Sequence, residues 1–263
     1  MMRIAAADIG NSSIKYLVGD VSRIHQRGER EWPKSQNLSL EDLSQSNPLV
    51  GQPTEWFVSS VNEDNASELQ ARLQVAGDLT RWRILHRQDV PLALDVDQPE
   101  RVGMDRVLAA FAAHRIFGRQ QDVIVVDCGT ALTIDLVGND GVFRGGVIMT
   151  GPATNLTALN LMTEALPDLS TEKLVRPKSV LGRSTREAML SGAWYNGLGA
   201  IREVVKEMQD LSSGVAQVVG TGGGLGPWRD VLPEDWILVD DLVLRGIFLA
   251  AADLQGGPDH EPF

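Results

Sequence analysis

Residues 4–20 read IAAADIGNSSIKYLVGD, and residues 123–139 read VIVVDCGTALTIDLVGN. Set one above the other, Asp8 meets Asp127, Gly10 meets Gly129 and Asn11 meets Thr130. The match runs on with Leu17 over Leu136, Val18 over Val137 and Gly19 over Gly138. Each copy is an apolar run, an Asp-x-Gly turn with small polar residues, and a second apolar run, which is a β-hairpin pattern. Two such copies predict two similar domains facing one another.

Outward from the hairpins the chain alternates. Residues 56–61 (WFVSSV) predict a strand, 65–76 a helix and 82–86 another strand, and the polar, Pro-containing stretch 31–54 a surface loop. Asp105 to Phe117 has apolar residues at helical spacing and predicts a helix opening just after Gly103. Beyond the second hairpin come a strand at 142–149, a helix at 153–165 ended by Pro167, and a long helix at 184–210. The start of that helix, Ser184-Thr185 with Glu187, resembles a capping arrangement. A buried strand at 215–219 leads into Gly220-Thr221-Gly222-Gly223-Gly224, and a last helix covers 241–254. Strands alternating with helices make the chain α/β. The expected division is a first domain at 1–118, a second at 119–255, and a flexible tail at 256–263.

With 263 residues there is chain for one large domain or two of moderate size. A net charge of −11 with no block of Lys or Arg argues against a nucleic-acid or anionic-membrane surface, since such binding needs clustered positive charge. No apolar run approaches the ~18–20 residues of a membrane span. The opening MMRIAAADIG sets an Asp where a signal peptide needs apolar residues, so a cytoplasmic protein is expected. Cys128 is the only cysteine, which excludes an intramolecular disulfide or a multi-cysteine metal site. His25, His86, His114 and His260 stand far apart, none with a partner at metal-ligand spacing.

Asp-x-Gly turns suit phosphate chemistry. Glycine lets backbone approach an anion, successive N–H groups bond its oxygens, and a carboxylate can hold a cation that neutralises phosphate charge. A third glycine-rich turn, residues 220–224, offers a surface for an adenine ring or a phosphate. It is neither a dinucleotide fingerprint nor a Walker loop. Gly103-Met104-Asp105-Arg106 admits two readings. Asp105 either complements the helix dipole, or accepts a substrate hydroxyl proton while Arg106 clamps an anion.

Taken together, these residues resemble the type III pantothenate kinases of the actin, Hsp70 and sugar-kinase superfamily. The resemblance runs through DIGNSSIK, SSV at 59–61, PERVGMDR, VVDCGTALTID, FRGGVIMTG, ALPDL, LGRSTREAMLSG, VVGTGGG and LVLRGIFLA. It implies two ribonuclease H-like (actin-like ATPase) domains with an interdomain cleft holding ATP with Mg2+. Asp8, Ile9, Gly10, Asn11, Ser12, Ser13, Ile14 and Lys15 would form the first phosphate loop, and Thr130 would touch phosphate from the second. Asp127 would ligate a monovalent cation, K+ or NH4+. Gly103, Met104, Asp105 and Arg106 would bind pantothenate, with Asp105 as proton acceptor. Thr185 would reach the substrate across or near a homodimer interface formed by part of the apolar and small-residue surface of 184–201, which carries Leu190, Tyr195 and Leu198 with Gly192 and Gly199. The implied reaction is ATP + pantothenate to ADP + 4′-phosphopantothenate, the first step toward coenzyme A. A non-catalytic regulatory relative and a kinase for another small hydroxyl compound are the alternatives.

The chain departs from the family pattern at four points. Val96 stands at a substrate-contacting position where many members carry Tyr, and Ala109 stands where Asn is common. Thr150 replaces a turn proline, with Pro152 nearby, and Arg245 replaces an acidic residue.

Overall fold

The computed structural model describes residues 3–10, 14–20, 32–38, 54–77, 79–118 and 120–255. Asn11, Ser12, Ser13, most of the expected loop at 31–54 and the expected tail at 256–263 lie outside them.

A first sheet contains β1 (Arg3–Ile9), β2 (Ile14–Asp20), β3 (Gln36–Leu38), β4 (Thr54–Ser60) and β5 (Leu79–Ile84), in the order β3-β2-β1-β4-β5. β1 runs antiparallel to β2 and parallel to β4. Strand alternation divides β1 between two apolar layers. Ala5, Ala7 and Ile9 join Tyr16, Trp56 and Val58 in a cluster with Leu69 and Leu73 of helix α1 (Glu63–Val75). Ile4 and Ala6 point the other way with Leu17 and Phe57, and all four are buried. The last helix, Leu242–Leu254, packs against β1, β2 and β4.

That last helix also crosses α2 (Met104–Phe117) at backbone distance, because a Cβ on Gly246 would lie 2.2 Å from the Leu108 carbonyl oxygen. Gly246→Ala should therefore destabilise the protein by about 1–3 kcal/mol, the scale of overpacking, although alanine is the better helix former. Denaturant unfolding checks this; a variant as stable as the parent would show that the crossing adjusts freely.

The second sheet contains β6 (Ala93–Leu94), β7 (Val123–Cys128), β8 (Ala131–Val137), β9 (Val142–Thr150), β10 (Gln217–Thr221) and β11 (Ile237–Leu238). Its order is β11-β10-β7-β8-β9-β6. With β6 set aside, order and strand senses repeat those of the first sheet, β7 standing for β1 and β10 for β4. Both are ribonuclease H-like sheets. Helix α3 (Pro152–Leu161) follows β9, and α4 (Thr185–Leu211) covers one face of the sheet. Ala193, Trp194, Leu198 and Ile201 of α4 pack with Ile124, Val126, Ile134 and Val218. Helix α3 stops short of the expected residue 165. Thr163 Oγ1 donates to the Leu159 carbonyl at 2.8 Å and Asn160 Nδ2 to Leu166 O at 2.7 Å, taking up polar groups where the helix ends.

The chain divides into two compact units, Met1–Leu92 with Gln98–Ala112 and Asp241–Phe263, and Ala93–Asp97 with Ala113–Asp240. These differ from the boundaries expected from sequence order. The last helix, labelled α5 from here on, joins the first sheet because its apolar face completes that core, and five residues around β6 join the second.

The hairpin repeat needs one correction. Asp8 pairs with Lys15, whereas Asp127 pairs with Thr133, so the second turn is one residue shorter. Leu17 therefore occupies the place of Asp135, and its alignment with Leu136 sets opposite faces of a strand above one another.

Candidate active site

Asp8 is the last residue but one of β1, in register with Lys15 on β2 and Ser59 on β4. The turn behind it is pinned from α1. Buried Asn65 donates from Nδ2 to the Gly10 carbonyl at 3.0 Å, and the Val61 amide donates to Ile9 O at 3.1 Å. Asn65 is itself fixed by the helix cap, its amide bonded to Asn62 Oδ1 at 3.0 Å. Sequence reading passed over Asn65; its one signal is an amide on the apolar face of a short helix. Ile9 and Ile14 bury their side chains in the core, which leaves only their backbone to meet a ligand. Lys15 is exposed.

Gly103 leads into α2, its carbonyl accepting from the Val107 amide at 3.1 Å. Asp105 is exposed and folds back over Gly103, where a Cβ would lie 2.5 Å from its Oδ1. The glycine makes room for the carboxylate. Met104 and Arg106 are half-buried beside it. The carboxyl of Asp8 is pushed up to about 6, first by burial, with the charge of Asp105 adding to the rise and Lys15 opposing it. The first unit thus brings Asp8, Lys15 and Asp105 within electrostatic reach of one another.

In the second unit Asp127 is the last residue but one of β7, in register with Thr133 and Thr221. The Gly129 amide donates to Ala131 O at 2.8 Å. The Thr130 carbonyl accepts from the Gly151 amide at 2.9 Å and from Thr154 Oγ1 at 2.7 Å, while the Thr130 side chain stays exposed. A Cβ on Gly151 would fall 2.0 Å from Gly129 O, so this turn is locked onto the start of α3. Thr150 ends β9, and Pro152 takes the first helical position, where a missing N–H costs nothing.

The glycine-rich turn divides its labour. Gly222, at φ +89°, and Gly224 press on the backbone of Cys128, whereas Gly223 and Gly226 have no atom within 4 Å of an added Cβ. A Cβ on Gly222 would meet Asp127 Oδ1 at 2.5 Å and Cys128 O at 2.3 Å. Burial, and next the charge of Asp127, push the Cys128 thiol up to about 12.

The remaining expected residues are placed as follows. Val96 is half-buried and lies against Gly145 in the second unit. Thr185 is exposed and lines a groove of about 560 Å³ between α3 and α4, with Asn155, Leu159, Met189 and Gly192. Ala109 is buried, where an Asn would need a partner. Arg245 pairs with Asp241 at 3.0 Å and lies 5.0 Å over the Trp32 ring. The residues expected to offer a dimer face divide into two groups. Ala193, Trp194, Leu198 and Ile201 fill the unit's own core, and Gly197 admits the Trp228 ring. Gly192, Tyr195 and Gly199, from the same expected set, lie on the exposed side of α4.

Each sheet thus carries an aspartate beside the turn of its central hairpin, Asp8 in the first and Asp127 in the second. Two sheets of this strand order and sense give the chain an actin-like fold. A family profile described as type III pantothenate kinase matches residues 4–207. A type III pantothenate kinase of Rhodopirellula baltica is 37% identical over 265 residues, covering 92% of this chain and 94% of that one. One from Ruegeria sp. is 30% identical over 255 residues, covering 93% and 94%. Among solved structures, MreB 5 of Spiroplasma citri bound to AMPPNP overlays with a TM-score of 0.46 at 9% identity, covering 97% of each chain. The chain belongs to the type III pantothenate kinase family.

Proposed function

We propose that this protein transfers the γ-phosphoryl group of ATP to pantothenate, giving ADP and 4′-phosphopantothenate, the first step toward coenzyme A. The observation that supports it most is Asp105, an exposed carboxylate turned back over Gly103 and within electrostatic reach of the Asp8 turn. Phosphoryl transfer needs alignment and charge neutralisation more than covalent help from the protein. Asp105 accepts the proton of the substrate hydroxyl as the oxygen bonds to phosphorus. Arg106 and the Gly103 backbone hold the substrate, and Val96 and Met104 offer it apolar contact. The Asp8 turn, with Lys15, and Thr130 take the phosphates of ATP.

A divalent ion bound with ATP neutralises phosphate charge. Asp8 fits it, since burial makes its charge costly until a cation shares the site. Among the described residues no cluster of three or more His, Cys, Asp or Glu can hold a metal ion. A monovalent cation at Asp127 would then be held by one carboxylate with backbone and hydroxyl oxygens, and the Asp127–Cys128 cradle that a Cβ at Gly222 would fill supplies oxygens of that kind. K+ or NH4+ is the proposed occupant.

ADP release coupled to pantothenate, measured with and without potassium, tests the proposal. Turnover is expected with pantothenate and potassium, and its collapse when sodium or a bulky organic cation is the only counterion. Full activity without K+ or NH4+ would remove Asp127 from cation binding, and no turnover under any condition would remove the reaction.

A homodimer through the exposed side of α4, with Thr185 reaching the partner's substrate, completes the reading. Sedimentation at micromolar concentration should give a mass near twice 28.6 kDa, and Tyr195→Glu should give folded monomers of lowered activity. Leu198→Glu is no test of the interface, because that side chain is buried and its charge would cost several kcal/mol of fold stability. A monomer with full activity at assay concentration would overturn the dimer.

A further inference from the structure

Arg144 has no part in the chemistry above, yet β9 is deformed to aim it. The β8–β9 ladder pairs Leu136 with Gly145 and Val137 with Phe143, which leaves Arg144 as the extra residue of a β-bulge. Bulges turn a side chain out of strand alternation, and they gather near sites where one must be re-aimed. Gly145 follows at φ +103°, a conformation open to glycine and strained for other residues.

The re-aimed guanidinium holds two carboxylates. Nη1 donates to Asp95 Oδ2 at 2.9 Å, and Nη2 donates to Asp140 in the β8–β9 turn. Asp95 is bound a second time through its backbone, its amide donating to Phe143 O at 2.9 Å, where β6 pairs with β9. Val96 follows directly, and its Cγ1 would lie 3.6 Å from a Cβ on Gly145. Residues 93–97 are thus fastened to β9 by strand pairing, an ion pair and a side chain laid on glycine. The pairs are largely exposed, with side-chain accessibility of 37% for Arg144 and 72% for Asp95. Exposed pairs contribute about 0–1 kcal/mol, so stability does not account for a bulge and a positive-φ glycine. What they fix is the direction of the chain at Asp95, next to Val96.

We infer that Arg144 is a positioning residue for the alcohol substrate, acting through Asp95 to set Val96. This rests on the pantothenate reading above. Arg144→Gln and Asp95→Asn should each raise the KM for pantothenate roughly tenfold, as misplacement of a binding segment does. The KM for ATP and kcat should stay within about twofold, because the transferring groups are untouched. The double variant should be no worse than either single one, since both remove one device. Arg144→Lys, a point charge in place of a fork, should fall between. A pantothenate KM in Arg144→Gln equal to that of the parent would overturn the inference, as would equal rises for both substrates.

Hydrogen exchange over residues 93–97, read without substrate, separates this from the function itself. Faster exchange in Arg144→Gln is expected, and unchanged protection overturns the device whatever the substrate is. Lost protection in a protein whose parent never turns over pantothenate would strike the proposed reaction and leave the pin standing.

Discussion

Asp105→Asn should lower kcat by at least ~10²-fold, the scale of a general base, while the unfolding midpoint barely moves. Asn keeps the shape of the side chain and loses its charge and its capacity to accept a proton. The exposed position makes the replacement cheap for the fold, and removal of a first-turn charge costs under about 1 kcal/mol. The KM for ATP should change far less than kcat, because the nucleotide turns keep all their own residues. Removing the Asp105 charge also relieves Asp8, whose carboxyl should titrate lower in the variant than its value of about 6 in the parent. A purified, folded variant with near-parental kcat would leave Asp105 as a helix-dipole residue and nothing more.

Asp8→Asn should move activity and stability in opposite directions. Turnover is expected to fall ~10²-fold or more, since the phosphate turn loses its cation partner. The empty protein should nonetheless become more stable at pH 8, by about 1–3 kcal/mol, which follows from a carboxyl raised from 3.8 to about 6. Between these two values the folded state holds more protons than the unfolded chain, so parental stability falls as pH rises through that window. The Asn variant has no charge to bury and should show no such fall. Thermal melts without nucleotide at pH 4 and pH 8 make the comparison: the curves should coincide at the lower pH and separate at the higher. A variant less stable than the parent at pH 8 would show that Lys15 already offsets the burial of this charge.

The hairpins and their turns were readable from the sequence because apolar runs broken by Asp-x-Gly have one local meaning. Slippage in the second hairpin was not. Leu17 over Leu136 is a residue match that ignores which way a strand's side chains point, and only the ladder reveals the shorter turn. The destination of α5 was equally hidden, since an apolar helix announces that it will be covered and says nothing about which sheet covers it. On α4 the reading of Trp194 and Leu198 as interface mistook a helix buried along much of its length for one with surplus apolar surface. Strands of two residues, β6 and β11, are too short to show alternation. Asp8, Gly103 and Asp105 stood out as candidates because a carboxylate and a glycine stand close together at the border of an apolar run in each case. Asn65 and Arg144 act through geometry that the sequence does not spell out.

Gly222 and Gly224 seal the end of β7, and the thiol of Cys128 is shut behind them, fully buried and held at about 12. At neutral pH almost none of it is thiolate, the form that reacts with electrophiles and oxidants. As the one cysteine in the sequence, it leaves the native protein silent toward maleimides. A second cysteine placed on the surface, at the exposed Val75 for example, would then take a spin label or fluorophore alone, with no need to engineer the native thiol away.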